Sequence, residues 1–331
     1  MKMELPNKMD VIKTSQAGGP EVLMLSTRPL PIPKPNEILI KAIAAGVNGP
    51  DLVQRNGLYP PPKDASDLLG LEVSGEVVAL GDATSKWQIG DRVCALTNGG
   101  SYAQYVAVNE LHCLPIPHGV SEIDAAGLPE AFFTVWSNIF YKNPNIDGKK
   151  ILVHGGSGGI GSTCIQLGAA LGLKVFTTAN SEESCSFCLE LGAFRAINFL
   201  DEDFVPILRE AGGADIILDI IGGDYVARNI KAARHDARLV LLAFNKGSKI
   251  EIDLMPIMLK RLIVTGSTLR SRSEEFKSAI ASELIEKVWP LFSIKKLKPK
   301  THKVFNLSAA SEAHTLMESG THRGKIILKI N

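Results

Sequence analysis

A glycine-rich turn between an apolar strand and a helix constrains the fold of this chain more than any other sequence feature. Residues 154–161 read HGGSGGIG, and Gly156, Gly158 and Gly161 match the pattern G-x-G-x-x-G. The pattern alone is weak, because many glycine-rich turns match it. Here the apolar run ILVH precedes it as a buried strand, and a helix with one apolar face follows. The alternative is a structural strand–helix turn without a ligand.

The three glycines have separate tasks in a turn that binds a dinucleotide. The first permits the tight bend, the second lets the backbone approach a pyrophosphate, and the third lets the helix pack closely on the strand. The N-terminus of the helix adds unpaired N–H groups and a partial positive charge. We therefore expect a dinucleotide to bind with its pyrophosphate on this turn.

Strands and helices alternate through the middle of the chain, after a segment at 122–141 that is predicted to be helical. Such alternation predicts parallel strands with crossover helices, and hence an α/β fold with an open, doubly wound sheet. The predicted elements are the strands Lys150–His154, Lys174–Thr178, Asp215–Ile220 and Arg238–Phe244 and the helices Ile160–Leu171 and Glu182–Leu191.

The first 125 residues have a different sequence pattern. Short apolar runs (EILIKAIAAGV, LEVSGEVVAL, DRVCAL and AQYVAV) are separated by turn clusters, which predicts a β-rich, barrel-like domain. The last stretch is predicted to contain a helix over 273–288, the strand KVFNL, a helix from Ser311 and a strand Lys325–Ile330, and to return to the first domain. A length of 331 residues agrees with about two domains.

Charge and apolar patterning exclude several classes of protein. Lys plus Arg number 36 and Asp plus Glu 35, a net charge of +1, which argues against binding of nucleic acid through a broad basic face. No apolar run approaches the ~18 residues that a membrane helix needs. The N-terminal segment MKMELPNKMD has no apolar core like that of a secretory signal. We expect a cytoplasmic protein without a membrane partner.

The five cysteines do not form a disulfide framework. Their odd, sparse count is unlike one, and Cys185-x-x-Cys188 has no second pair nearby to complete a four-cysteine zinc site. A redox pair of the thioredoxin type is an alternative. We favour packing, because Cys185, Cys188 and Leu189 fall on one predicted helical face.

The end of the second strand bears on the choice of cofactor. NAD sites usually place an acid there to hold the ribose 2′-OH, whereas this strand ends in Ala179 and Asn180. The missing acid favours NADP. Glu182 and Glu183 leave the choice open, because they disfavour a 2′-phosphate if they point inward but not if they are solvated first-turn residues.

Motifs along nearly the whole chain resemble the quinone oxidoreductase (zeta-crystallin-like) branch of the medium-chain dehydrogenase/reductases. They are GVNGPDLVQRNGLYPPP, LGLEVSGEVVALG, GDRVCAL, LPEAFFTVW, VHGGSGGIG, LGAFRAINF, GSTLRSRS and HRGKIILKI. The resemblance implies a GroES-like catalytic domain formed by residues 1–125 and 269–331. It also implies a Rossmann domain, residues 126–268, inserted between them, and a homodimer.

The same motifs argue against zinc. The zinc enzymes of this superfamily carry a Cys where this chain has Asn48 and a His where it has Leu71, and neither replacement suits a catalytic zinc site. Without a Lewis acid a simple alcohol is hard to oxidise. A quinone or an enone is a better hydride acceptor, because conjugation spreads the developing charge. We predict an NAD(P)H-dependent quinone oxidoreductase; the alternatives are an enone reductase and a low-turnover NADPH-binding protein.

The resemblance implies the site residues. Asn48 and Tyr59 would line the cleft where substrate meets nicotinamide, with Asn48 also contacting the cofactor and Thr134 approaching the nicotinamide. The remaining predicted cofactor contacts are Gly156, Ser157, Gly158, Gly159, Ile160, Asn180, Ser181, Ser184, Phe199, Phe244 and Lys325.

Three of these assignments have a structural alternative, and two positions depart from the family pattern. Asn48 could cap its turn, the ring of Tyr59 could pack only on proline, and Thr134 could be a core residue, whereas Glu72 is expected to be structural. NADPH-preferring members often carry a Lys where this chain has Ser184 and a Tyr where it has Phe199. Losing both weakens the grip on a 2′-phosphate, so NADPH is predicted with NADH as a possible substitute.

Overall fold

A computed structural model describes residues 5–143 and 146–330. The first four residues of the N-terminal segment MKMELPNKMD lie outside this range. In chain order the strands are β1 (Lys8–Thr14), β2 (Leu23–Pro29), β3 (Glu37–Val47), β4 (Glu72–Leu80), β5 (Arg92–Leu96), β6 (Tyr105–Asn109), β7 (Cys113–Pro115), β8 (Lys150–His154), β9 (Lys174–Ala179), β10 (Arg195–Asn198), β11 (Ala214–Asp219), β12 (Ala233–Leu241), β13 (Ile263–Gly266), β14 (Thr301–Asn306) and β15 (Lys325–Lys329).

The helices are mostly short. They are α1 (Gly49–Arg55), α2 (Glu122–Ala125), α3 (Pro129–Val135), α4 (Gly159–Ala170), α5 (Glu182–Glu190), α6 (Phe204–Glu210), α7 (Tyr225–Ala232), α8 (Met255–Lys260), α9 (Glu274–Glu283), α10 (Trp289–Ser293) and α11 (Ala310–Ser319). The chain divides into two compact units: one runs to Phe133 and resumes at Arg270, and the other is Thr134–Leu269. The functional domain assignment stays a prediction.

The unit Thr134–Leu269 contains a six-stranded parallel sheet in the order β10-β9-β8-β11-β12-β13. Numbered within the unit, this is the order 3-2-1-4-5-6 of a doubly wound dinucleotide-binding sheet. Its core includes the buried Leu152, Phe176, Ile217 and Leu239 from four of the six strands. The predicted α/β fold with a parallel sheet is therefore confirmed.

The other unit is β-rich, as predicted. Its main sheet has the order β14-β15-β3-β4-β5-β7, with β6 also paired to β3, and all its pairs except β14–β15 are antiparallel. The hairpin β1–β2 stands beside it and joins it through a bridge between Val11 and Ala103. Ile38, Val73 and Ile326 are among the fully buried residues of its core.

The predicted helix over 122–141 is wrong as a single element. It is α2, α3 and then a π-helical segment, Trp136–Phe140. A Cβ on Gly127 would stand 2.9 Å from Cδ1 of Ile327, so the chain between the helices lies tightly against β15. Pro129 begins α3 and has no N–H with which to continue an earlier helix.

Three further sequence predictions need correction. The helix over 273–288 is α9 followed by a π-helical segment, Leu284–Val288. The strand predicted at Arg238–Phe244 begins earlier, at Ala233, and ends at Leu241. Two short strands of the parallel sheet, β10 and β13, were not predicted; each has only four residues.

Candidate active site

The glycine-rich turn joins β8 to α4 at the carboxyl edge of the parallel sheet. The N–H groups of Gly155 and Gly156 both donate to the carbonyl of Thr178 on β9, at 3.1 and 3.0 Å. The bend itself is at Gly155, whose φ of +72° favours glycine. Gly156 serves close packing instead, because a Cβ there would lie 2.0 Å from Oγ1 of Thr177.

The second and third glycines of the pattern differ in their surroundings. A Cβ on Gly161 would stand 2.3 Å from the carbonyl oxygen of Gly155, so helix and turn touch at this point. At Gly158 the nearest protein atom to such a Cβ is the carbonyl oxygen of Gly155, at 3.6 Å, an ordinary contact. The protein's own packing therefore requires glycine at position 161 but not at position 158.

Helix α4 begins at this open position, next to Gly158. Gly158 is its N-cap residue and no side chain caps the helix. Ser157, Gly158, Gly159 and Ile160 are all partly exposed. The first N–H groups of a helix have no intrahelical acceptor, and the helix dipole places positive charge there. This end of α4 can accept an anionic group such as a pyrophosphate.

The residues predicted to surround the adenosine ribose lie after β9 and β10, at the same edge of the sheet. Ala179 is buried and Asn180 is exposed, whereas Ser181 caps α5 by accepting from the N–H of Ser184 at 3.1 Å. The Ser181 hydroxyl also donates to the hydroxyl of Ser184, which is only 5% exposed. Phe199 is partly exposed, and its N–H donates to the carbonyl of Ala179 at 3.0 Å.

Glu182, whose direction the sequence left open, is turned toward the end of β10. Its Oε1 accepts from Nδ2 of Asn198 at 3.2 Å, and Asn198 pairs with Ala179 across the two strands. A carboxylate therefore lies near the end of the second strand of the fold. This geometry weakens the preference for a 2′-phosphate that Ala179 alone suggested.

Two loops complete this edge of the sheet. Phe244, partly exposed, follows β12, and a Cβ on Gly222 in the loop after β11 would approach its ring to 2.7 Å. The carboxylate of Asp219 holds that loop, because its Oδ1 accepts from the N–H groups of Ile221 and Gly222 at 2.7 and 3.0 Å. The structure thus brings the turn, Asn180–Ser184, Phe199 and Phe244 to one edge of the sheet.

A buried polar network that the sequence did not reveal supports this edge. His154 lies at the end of β8 with its ring nitrogens 3.0 Å from Oγ1 of Thr178 and 2.7 Å from Oδ1 of Asn229. Asn229 in turn donates to Asp219 at 2.9 Å. Burial lowers the pKa of His154, so the ring is neutral at neutral pH. The network connects β8, β9, β11 and α7.

Thr134 lies in α3 and is buried. Its carbonyl accepts from the side chains of Asn138 and Ser137 at 2.8 and 3.2 Å. Both bonds stabilise the helix locally, as expected for a core helical residue. A contact between Thr134 and a nicotinamide stays a prediction.

Asn48 lies in a buried charged cluster of the β-rich unit. Its Nδ2 donates to Oε1 of Glu72 at 2.9 Å, and its Oδ1 accepts from Nζ of Lys325 at 2.6 Å. Lys325 and Glu72 also form an ion pair at 2.6 Å, with side chains 10% and 0% exposed. Glu72 accepts in addition from the N–H of Glu130. These contacts give Glu72 the structural role expected of it, and they fix the Asn48 amide on both sides.

Lys325 was predicted to contact the cofactor, and the structure places it in β15. Its ammonium group donates to Oδ1 of Asn48 and to the carbonyl of Val47, the latter at 3.3 Å, and forms the ion pair with Glu72. The other predicted cofactor residues, apart from Asn48, belong to the unit with the parallel sheet. A contact between Lys325 and the cofactor stays a prediction.

Asp51, on α1, extends the cluster toward the interior. Its carboxylate accepts from the N–H groups of Asn48 and Gly70 at 2.9 and 3.0 Å and from the hydroxyl of Tyr102. Burial raises the pKa of Asp51 to about 6 against these hydrogen bonds. The hydroxyl of Tyr102 also lies 3.0 Å from Nε2 of His314, so the hydrogen-bonded network extends to that ring.

Tyr59 is half-buried beside Arg270, which the sequence analysis did not single out. The Arg270 guanidinium lies 5.5 Å from the centre of the Tyr59 ring. Arg270 is held by the carbonyl of Asn98, at 2.8 and 2.6 Å, and by Oε1 of Gln54, at 2.7 Å. Burial raises the pKa of Tyr59, so its phenol stays protonated at neutral pH. The Tyr59 ring therefore has a charged neighbour, which the alternative of packing only on proline did not include.

The five cysteines are free and buried. Burial raises the pKa of Cys188 to about 12 and also raises that of Cys185, which keeps both thiols protonated and unreactive. The packing interpretation of this pair is confirmed. Leu189, however, is 50% exposed and does not share their buried face.

Neither a metal-ion site nor a membrane-spanning helix occurs in the part of the chain that the structure describes. No group of three or more His, Cys, Asp and Glu side chains is placed to hold a metal ion within residues 5–143 and 146–330. In the same range no helix has the length and apolar character needed to cross a membrane.

Comparisons with known proteins match both units. Residues 34–118 match the alcohol dehydrogenase GroES-like domain, and residues 159–286 match the zinc-binding dehydrogenase family. A mouse quinone oxidoreductase is 30% identical, with 97% of each chain covered. The quinone oxidoreductase of Pseudomonas syringae superposes with a TM-score of 0.86 at 27% identity, covering 97% of this chain and 99% of that one. The Escherichia coli quinone oxidoreductase complexed with NADPH superposes at 0.83 and 26% identity, with the same coverage.

Proposed function

Because this chain belongs to the quinone oxidoreductase branch of the medium-chain dehydrogenase/reductases, we propose that it reduces a quinone with a hydride from NADPH. The chain is an NAD(P)H-dependent oxidoreductase. The net reaction takes a quinone, NADPH and one proton to a hydroquinone and NADP⁺. The substrate, the choice of NADPH and the roles of individual residues are parts of the proposal.

The open position over Gly158 carries the cofactor part of the proposal. The N-terminus of α4 has no side-chain cap, and a Cβ on Gly158 would meet no protein atom closer than 3.6 Å. That space fits a pyrophosphate, which would accept hydrogen bonds from the exposed N–H groups. When bound, NADPH supplies the hydride. Ser157, Gly158, Gly159 and Ile160 bind and orient its phosphates, and Phe199 and Phe244 border the site.

The residues of the β-rich unit orient the acceptor. Tyr59 keeps its proton at neutral pH, so its hydroxyl donates a hydrogen bond to the acceptor oxygen as negative charge develops there. The Asn48 amide is fixed by Glu72 and Lys325, so it offers the substrate or cofactor a rigid polar edge. A quinone or enone gains most from such donors, because its oxygen receives the electrons that the hydride brings.

Zinc independence rests on the chemistry of this cluster. Leu71 supplies no ligand atom, and the Asn48 amide is occupied by two neighbours. The Lys325 ammonium lies 2.6 Å from both Asn48 and Glu72, where it would repel a divalent cation. Asn48 and Glu72 therefore bind the ammonium group of Lys325 rather than a metal ion.

The proposed preference for NADPH over NADH is modest. Asn180, Ser181 and Ser184 can offer a 2′-phosphate only neutral hydrogen bonds, and the Glu182 carboxylate lies nearby at Asn198. A neutral hydrogen bond contributes about 1 kcal/mol, which is less than tenfold in affinity.

A matrix of initial rates tests the proposal. Protein treated with a chelator is assayed with NADPH and NADH against a panel of simple quinones, α,β-unsaturated ketones and primary alcohols with the oxidised cofactors. We expect quinone reduction at the full rate of untreated protein, NADPH favoured over NADH by less than about tenfold, and no alcohol oxidation.

Each other outcome selects a different function. Faster turnover of enones than of quinones would make the protein an enone reductase. Tight NADPH binding without turnover of any acceptor would make it a binding protein. Activity that disappears with the chelator and returns with zinc would contradict zinc independence.

A homodimer is the proposed assembly, and the free edge of the parallel sheet is its proposed interface. β13 is the last strand in the sheet order, and apolar side chains on it and on α8 are exposed. Ile263 is 57% exposed and Leu259 is 61% exposed. An unpaired sheet edge with exposed apolar groups is suited to pairing with a second copy of the chain.

Ile263→Lys should therefore convert a dimer to a monomer, because a lysine on an edge strand opposes edge-to-edge pairing. Sedimentation velocity measures the outcome. Ile89→Lys is the matched control, because Ile89 is similarly exposed, at 65%, and lies in the other unit. A wild-type protein that sediments as a monomer, or an Ile263→Lys variant that remains dimeric, would contradict this interface.

A further inference from the structure

Reduction of a quinone or an enone by hydride needs a proton, and the structure offers a candidate at the cluster that holds Asn48. We propose that Glu130 is the catalytic acid that protonates the reduced acceptor. This inference rests on the proposed function, because it concerns the proton that the same reaction consumes.

The position of Glu130 is set by the cluster at Asn48. Glu130 is the second residue of α3, and its N–H donates to Oε2 of Glu72 at 2.9 Å. The other oxygen of Glu72 holds the Asn48 amide and the Lys325 ammonium. The backbone of Glu130 is therefore fixed next to the residues proposed to orient the acceptor.

The Glu130 carboxyl group acts electrostatically on other groups of this unit, although it has no hydrogen-bond partner of its own among the described residues. Its charge acts on the Tyr59 phenol and on the Arg270 guanidinium that lies over the Tyr59 ring. Within residues 5–143 and 146–330, no hydrogen bond or ion pair engages the Glu130 carboxyl group. Glu72, by contrast, has both oxygens engaged. A carboxyl group without a partner, on a backbone anchored to the carboxylate that holds Asn48, is free to exchange its proton with an acceptor bound at Asn48.

The environment keeps the proton on Glu130 at neutral pH. Burial raises the pKa of Glu130 to about 8, and the negative charges of Glu72 and Asp51 act in the same direction. Lys325 and Lys277 act in the opposite direction but are outweighed. The charged and titratable groups that act on Glu130, or on which it acts, come from five other parts of the unit. They are Asp51 on α1, Tyr59 after α1, Glu72 on β4, Arg270 before α9 with Lys277 on α9, and Lys325 on β15.

The proton transfer balances the reaction. Hydride addition to the quinone leaves one oxygen with a negative charge. The O–H bond of the Glu130 carboxyl breaks as a new O–H bond forms on that oxygen, which gives the neutral hydroquinone and a Glu130 carboxylate. Water then returns a proton to the carboxylate, so the enzyme is unchanged after the cycle. An enone follows the same course through its enolate.

The test compares Glu130→Gln with the wild type from pH 6.5 to 9.5. For the wild type, quinone reduction should fall about tenfold per pH unit above pH 8, as the acid is lost. Glu130→Gln should be slower by roughly 100-fold at pH 7 and should lack this alkaline decline, because a positioned general acid contributes about 10²–10⁴-fold. The control Glu312→Gln changes an exposed carboxylate on α11 and should behave as wild type.

A second acceptor separates proton donation from a structural effect. N-methylacridinium becomes a neutral product on accepting a hydride and needs no proton. Glu130→Gln should reduce it as fast as wild type at every pH. Equal losses with quinone and acridinium, or a Glu130→Gln profile that keeps the alkaline decline, would overturn the proposal. A wild type that reduces no quinone or enone would overturn the proposed function as well, and that result needs no variant.

Infrared titration of the wild type keeps the proposal testable if Glu130→Gln fails to fold. A protonated carboxyl group has a C=O band that disappears on ionisation. We expect one such band to disappear near pH 8, separate from the loss near pH 6 that Asp51 would give. The absence of any carboxylic-acid band above pH 7 would overturn the proposal.

Discussion

Gly158→Val should weaken the binding of both NADPH and NADH by about 100-fold or more, with little change in the stability of the protein. The pyrophosphate is common to the two cofactors, and a branched side chain would occupy the space at the N-terminus of α4 in which we propose that it binds. Losing two hydrogen bonds to a charged group, at about 1.5–3 kcal/mol each, accounts for a loss of this size. Isothermal titration calorimetry with each cofactor measures it.

The fold should tolerate this change because of the geometry at Gly158. The N-cap has a φ of −76°, which any residue adopts, and the nearest protein atom to a new Cβ is 3.6 Å away. Gly266→Val is the matched control: a Cβ there meets nothing within 4 Å, and the residue lies at the end of β13 in the same unit. If Gly158→Val bound both cofactors as tightly as Gly266→Val, the pyrophosphate would bind elsewhere.

The parallel sheet could be predicted because its signals are local. Buried β-branched strands such as Lys150–His154 were predicted to the residue, and the glycine pattern follows directly in the chain. The assignment of the tight bend to the first glycine of the pattern, Gly156, was wrong. Gly155, outside the pattern, takes the left-handed conformation, and Gly156 is needed because Thr177 of the neighbouring strand lies against it.

Elements whose residues lack a clear pattern were missed. β13 has four residues, and its Ile263 and Val264 are exposed in the single chain, so neither burial nor alternation marks it. The prediction of one helix over 122–141 was wrong because tertiary packing interrupts the helix between α2 and α3. Gly127 lies against Ile327, which is distant in sequence.

The candidate site of the β-rich unit depends on contacts between distant residues. Asn48 and Lys325 are 277 positions apart in the chain, and their hydrogen bond could not be derived from spacing. Family resemblance drew attention to Asn48 and Tyr59. It did not indicate that Arg270 lies over the Tyr59 ring, or that the N–H of Glu130 binds the carboxylate that holds Asn48. For the same reason the sequence gave no hint of the ion pair between Lys325 and Glu72.

Lys325→Met should lower the free energy of unfolding by about 3–5 kcal/mol at neutral pH. The substitution keeps most of the apolar stem but removes the ammonium from a buried ion pair. Glu72, fully buried, would retain only the hydrogen bonds from Asn48 and the N–H of Glu130. An uncompensated buried carboxylate is the costly product, rather than the lost contact itself. Urea unfolding followed by circular dichroism measures the change.

Lys287→Met is the matched control for the loss of stability, because it makes the same chemical change in a more exposed ion pair. Lys287 lies 3.1 Å from Glu283 one helical turn away, with side chains 48% and 27% exposed. Its removal should cost only about 0.3–0.5 kcal/mol. A Lys325→Met variant no less stable than Lys287→Met would show that the buried ammonium does not compensate Glu72.

The double variant Lys325→Met with Glu72→Gln separates the ion pair from packing. A glutamine at position 72 is neutral and can still accept from Asn48 and Glu130, so the double variant should recover most of the stability lost in Lys325→Met. The resulting coupling energy should be about 2 kcal/mol or more, since paired buried charges are strongly non-additive. Recovery with the charges removed together would mean that the cluster needs charge balance rather than charge. A double variant no more stable than Lys325→Met would instead show that the unpaired charge of Glu72 is not the cause of the loss.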